Sequence, residues 1–136
     1  MNIRQITVSG QGQTKAPGGP QALIVLPQLP TEGAWSIRGQ VTAFEAAPER
    51  AYSFVFNLAF SGLSNGGVAT ENDELKPPYT VAPAPAGLWA GLALTLALAP
   101  FSSGPVATIG ATLPAAPAGA EIIDWTWQLD VELSDA

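Results

Sequence analysis

The chain contains no cysteine and no histidine. Disulfide frameworks, thiol catalysis, Cys/His zinc sites and imidazole acid–base chemistry are therefore excluded. Charge is scarce as well. Asp, Glu, Lys and Arg make up 12% of residues, against about 25% in an ordinary globular domain. The charge present leans acidic, with eleven carboxylates against five bases and a net charge of −6. Such a chain gains nothing from counterion release at phosphates, so nucleic acid is not an expected partner. Long apolar runs are missing too. The most hydrophobic stretch is GLWAGLALTLALAP, residues 87–100, and Pro85 and Pro100 bound it. A membrane helix needs about 20 apolar residues, so no membrane partner is expected. The opening MNIRQITVSG has no basic head and apolar core of a secretory signal, which predicts synthesis and assembly in a cytoplasm. The glycine pairs at 18–19 and 66–67 and the run Ser102–Ser103–Gly104 open no helix and lead to no Walker lysine. They read as turns.

What remains is a 136-residue chain, 47% hydrophobic. That length suits one domain, able to bury roughly two-thirds of its unfolded surface without a metal or disulfide. Thirteen prolines and fourteen glycines predict short elements separated by turns. The dominant period is two. In residues 34–44, AWSIRGQVTAF, one face carries Trp35, Ile37, Val41 and Ala43. In 51–60, AYSFVFNLAF, one face carries Tyr52, Phe54, Phe56, Leu58 and Phe60. In the closing EIIDWTWQLDVELSDA, Ile123, Trp125, Trp127, Leu129, Val131 and Leu133 share a face opposite Asp124, Thr126, Gln128, Asp130 and Glu132. The 88–98 run alternates Leu with small residues, so its period predicts a strand even though Leu and Ala favour helix. Further strands are predicted at 3–8, at 22–29 (with Pro27 limiting it to an edge or a bulge), around Val68 and Tyr79–Val81, and at 106–113. About six to nine short strands predict an antiparallel β-sandwich, jelly-roll-like, with no long helix. Residues 1–22 separate as an N-terminal arm, whose Gly/Pro/Gln-rich connector (9–21) shows no core of its own. Residues 23–136 form the sandwich domain.

Residues 77–120 contain no charged residue. Soluble monomers normally guard exposed strand edges with Lys, Glu or a bulge, so this stretch is expected to be covered by other subunits. On the 88–98 run, Trp89, Ala93, Thr95 and Ala97 lie opposite the leucines and are the candidate subunit interface. The carboxylates at Glu71, Asp73 and Glu74 lack a Gly-centred calcium loop and read as a solvated turn. Asp124, Asp130 and Glu132 read as a solubilising strand face rather than a glycosidase pair. No catalytic residue, metal or cofactor is implied.

The succession AWSIRGQVTA, an aromatic-rich strand, the SNGG turn, LWAGLALTLAL, VATIGA and WTWQLDVEL resembles small β-sandwich modules of tailed-phage and prophage virion proteins. Those modules occur in tail or head fibres and in decoration proteins. The resemblance covers residues 34–136 and rests on a pattern of strands, not on a catalytic signature. It implies a non-enzymatic structural protein of a virion, a decoration or fibre/tail accessory subunit, working as a homo-oligomer, in the first instance a trimer, beside other virion proteins. The chain departs from long fibre proteins in having no fibrous repeat, which favours a compact accessory subunit. The alternative is a carbohydrate- or receptor-binding β-sandwich that would use exposed aromatics and the loop at 61–76.

Overall fold

The structure, a computed structural model, describes residues 2–16, 18–47, 50, 52–72, 78–101, 103–113 and 121–136. Among these residues the regular elements are nine strands and one 3-10 turn. The strands are β1 (Asn2–Ala16), β2 (Gly18–Val25), β3 (Gly33–Ala47), β4 (Ser53–Asn65), β5 (Val68–Glu71), β6 (Tyr79–Ala82), β7 (Ala93–Ala99), β8 (Val106–Leu113) and β9 (Glu121–Asp135). A large sheet runs β1-β9-β3-β4-β5, with β6 also paired to β4, and a small sheet runs β2-β8-β7. All pairings are antiparallel. The molecule is the antiparallel β-sandwich that the period of two predicts.

The inner faces meet in one hydrophobic core. β9 places Ile123, Trp125, Leu129, Val131 and Leu133 at 0% exposure. β3 adds Trp35, Ile37, Val41 and Ala43, and β4 adds Phe54, Phe56, Leu58 and Phe60. From the small sheet come Ile24, Leu94, Ala107, Ile109, Ala111 and Leu113. Each large side chain buried this way stabilises by roughly 1.5–3 kcal/mol. The segment after β2 seals one end of the core. Leu26 N–H donates to Ala107 O at 3.1 Å and Leu29 N–H to Pro105 O at 3.0 Å, and both leucines are buried.

Residues 2–16, set apart by composition as an arm, pair with β9 along their whole length, from Asn2 opposite Asp135 to Ala16 opposite Glu121. The glycines that suggest a flexible connector serve packing instead. Gly10 lies opposite Trp127 and Gly12 opposite Trp125. A Cβ on Gly10 would come within 2.9 Å of the Trp127 ring, and one on Gly12 within 3.3 Å of Leu23 and Trp127. An indole lying over strand glycines gives back the packing that the missing side chains would supply. Residues 18–25 then continue as β2, whose register with β8 shifts between Gly18 and Gln21 and between Ala22 and Ile24. β2 ends at Val25, so Pro27 lies beyond the ladder rather than in it.

The apolar stretch at 87–100 is a strand only from Ala93 to Ala99. Its first residues close a 3-10 turn at Gly87–Trp89, with Trp89 N–H bonding Ala86 O, Ala90 N–H bonding Gly87 O and Leu92 N–H bonding Trp89 O. Gly87 (φ +60°) and Gly91 (φ +99°) bracket the turn in conformations that suit glycine, and the alternation gives way there. The consequence for Trp89 is large. It leaves the small-residue face and turns into the core at 5% exposure, 5.7 Å from Tyr52 and 5.4 Å from Phe54. Beside it, Leu88 is exposed.

Candidate assembly surface

The two outer faces of the sandwich differ sharply in chemistry. On the large sheet, β9 points Asp124, Thr126, Gln128, Asp130 and Glu132 to solvent. β1 answers them across the ladder. Gln5 Nε2 donates to Glu132 Oε2 at 3.2 Å, Thr7 Oγ1 to Asp130 Oδ1 at 3.2 Å and Gln13 Nε2 to Asp124 Oδ1 at 2.8 Å. At the end of the strand pair, on the opposite parity, Arg4 reaches Asp135 at 3.3 Å. Between β3 and β4, Gln40 Nε2 donates to Asn57 Oδ1 at 3.1 Å. A shallow depression of about 430 Å³ lies among Gln5, Thr7, Ser36, Arg38, Asp130 and Glu132. This is the wet side of an antiparallel sheet, and its carboxylates are tied to hydroxyl and amide donors of a neighbouring strand.

The outer face of the small sheet carries no charge. Across β7 and β8, Ala93 stands opposite Thr112, Thr95 opposite Gly110, Ala97 opposite Thr108 and Ala99 opposite Val106. Val25 of β2 pairs with Thr108 and is 73% exposed. The row Ala97, Thr108, Val25 therefore crosses all three strands. Of the four candidate interface residues, the structure gathers Ala93, Thr95 and Ala97 on this face and removes Trp89 to the core. Short side chains make the surface low and smooth, so a facing backbone can approach closely.

The residues proposed for other sites are also placed. Trp35, Trp89 and Trp125 are buried and Trp127 is half-buried over Gly10 and Gly12, so none of the four presents an open ring for a sugar. Phe44 and Tyr52 are the aromatics exposed at the end of the large sheet. Glu71 ends β5, and Asn72 N–H donates to Ser61 O at 2.8 Å. Asp73 and Glu74 lie outside the described residues, as do Ser102 and the 114–120 loop. Among the described residues no group of three or more Asp or Glu is placed to hold a metal ion, and no helix is long and apolar enough to cross a membrane. No family model, no curated protein and no solved structure matches this chain.

From sequence the 1–22 segment is a strand at 3–8 on an arm able to pair with a neighbour's sheet edge; the structure extends that strand to Asn2–Ala16 and makes it the end of the large sheet. The parity of residues 6–14 marks its packed face, where Ile6, Val8, Gly10, Gly12 and Thr14 point inward. The glycines in that row mask it.

Proposed function

We propose that this protein is a structural subunit that works by associating with copies of itself, as a decoration or fibre/tail accessory component of a phage-like particle. The observation that carries this reading is the charge-free, small-residue outer face of the small sheet, on a molecule whose net charge is −6. Packing that face against sister subunits removes Val25, Ala97 and Ala99 from water and leaves the acidic face of the large sheet hydrated. The setting in a virion rests on the strand-pattern resemblance of residues 34–136. A trimer about a threefold axis is the assembly we propose. The exposed Phe44 and Tyr52 keep a glycan- or receptor-binding role as the second reading, with a glycan array as its assay.

Light scattering tests the association directly. The wild-type chain is expected to form an assembly of three copies, or of a multiple of three, at micromolar concentration. Ala97→Glu places a carboxylate where no cation is available, and an unpaired charge buried at an interface costs about 3 kcal/mol or more. That corresponds to at least about 100-fold weaker assembly. The variant should therefore lose the threefold assembly while its β-sheet circular dichroism spectrum stays unchanged. A wild-type monomer, or an Ala97→Glu protein that assembles normally, would refute the reading.

A further inference from the structure

The small-sheet face is too small to hold an assembly by itself. Three strands about 4.8 Å apart and seven residues long at about 3.3 Å per residue span on the order of 300 Å². A stable interface takes about 800 Å² from each partner. A second contact is needed, and the free edge of β1 has the properties of one.

β1 is the end strand of the large sheet, and β9 is its one neighbour in the ladder. The register between them runs without a bulge from Asn2 to Ala16. Along the other side, among the described residues, the hydrogen bond recorded to a β1 backbone group from outside the sheet is Gln21 Nε2 to Lys15 O at 3.2 Å. Folded proteins blunt such edges with prolines, bulges or charges. Residues 5–14, QITVSGQGQT, have no proline and no charge. The core is also incompletely covered along this margin, where Ile6, Val8, Leu23 and Trp127 are only partly buried.

We infer that β1 pairs edge to edge with β1 of a second copy, antiparallel about a twofold axis at Ser9, joining the two large sheets into one. The sequence is complementary to itself in that register. On the inner face, Val8 falls opposite Gly10 of the second copy and Ile6 opposite Gly12. Each branched side chain meets a position without a side chain and lies against the Trp127 ring that covers it. On the outer face, Gln5 falls opposite Gln13, Thr7 opposite Gln11, and Ser9 opposite itself. No charge stands directly opposite a like charge, because Arg4 meets Thr14 and Lys15 meets Ile3. The backbone ladder gives the affinity and the alternating side chains set the register. The pairing is isologous and closes on itself. It rests on the self-association proposed above but uses a different surface.

The test uses the absence of cysteine. Residues directly opposite in an antiparallel pair have Cβ atoms about 4.5–5.5 Å apart, close to disulfide reach. Under mild oxidation of the full chain at about 10 μM, Ser9→Cys should form a reductant-sensitive covalent dimer at least tenfold faster than Asn57→Cys, a control on the exposed face of β4. Adding Val8→Lys, an inward-pointing edge charge, should slow that crosslink at least tenfold while circular dichroism stays unchanged. Equal rates for Ser9→Cys and Asn57→Cys, or a crosslink indifferent to Val8→Lys in a folded protein, would overturn the inference. The Ser9→Cys/Ala97→Glu double variant separates the two proposals. A retained crosslink in a protein that no longer forms trimers supports both. A retained crosslink together with intact trimers sinks the small-sheet contact and leaves the edge pairing standing.

Discussion

Gly39→Val is expected to leave no folded protein to recover. Gly39 lies in the middle of β3, between Leu129 of β9 and Leu58 of β4, with φ at +143°. A side chain there meets two obstacles. The backbone conformation is one that L-residues rarely adopt, at a cost of about 1–3 kcal/mol. The new Cβ would also overlap the Gln128 carbonyl oxygen and come within 2.8 Å of Leu129 Cα. Both clashing groups are backbone atoms of a strand bonded on each side, so neither can rotate away. Even Gly39→Ala should cost on the order of 4 kcal/mol, a large part of the 5–15 kcal/mol that holds a typical domain. Urea unfolding of the alanine variant is the check. A loss below about 1 kcal/mol would mean that β3 and β9 separate there more easily than their register implies.

The second large effect concerns two tryptophans that differ in a single hydrogen bond. Trp125 is fully buried, lies 6.0 Å from Phe56, and donates from Nε1 to Thr14 Oγ1 at 2.8 Å. Trp125→Ala should lose about 3–5 kcal/mol through the cavity it leaves. Trp125→Phe keeps part of the ring but leaves the buried Thr14 hydroxyl without its donor, which adds about 1–3 kcal/mol to the lost volume. Trp35 is 2% exposed, yet its Nε1 has no hydrogen-bond partner among the described residues. Trp35→Phe removes an unsatisfied donor along with the volume, so it should cost less than Trp125→Phe by at least about 1 kcal/mol. Denaturant curves for the two variants, with Thr14→Val to close a double-mutant cycle on Trp125, measure the difference. Equal losses would show that the Thr14 bond contributes nothing net.

Much of the sandwich is written in the sequence because one face of the large sheet is dry and the other wet. That contrast imposes the alternation read in Trp35–Ala43, Phe54–Phe60 and Ile123–Leu133. The same logic located Ala93, Thr95 and Ala97, since an uncharged parity on a surface strand is visible without coordinates. Trp89 escaped it because the alternation continues through a turn that is held by local backbone bonds, and nothing in the spacing marks where the strand begins. The extent of β1 escaped for a non-local reason. Gly10 and Gly12 look like turn residues until Trp127, distant in sequence, is known to lie over them. Pairing register between remote segments is the information a periodicity analysis lacks, and the free edge of β1 is a property of register.

The position of β9 also governs when the molecule can be finished. It sits between β1 and β3 but follows both in the chain, so that Arg4 meets Asp135 across 131 residues of sequence and Gln13 meets Asp124 across 111. At about 5–20 residues per second of synthesis, β1 waits for seconds without its neighbour, and β3 waits with one side open. Pairing over such separations is slow even in a complete chain, in the range of milliseconds to seconds for sheet proteins. The strand that completes both neighbours is thus the last of the nine to be made.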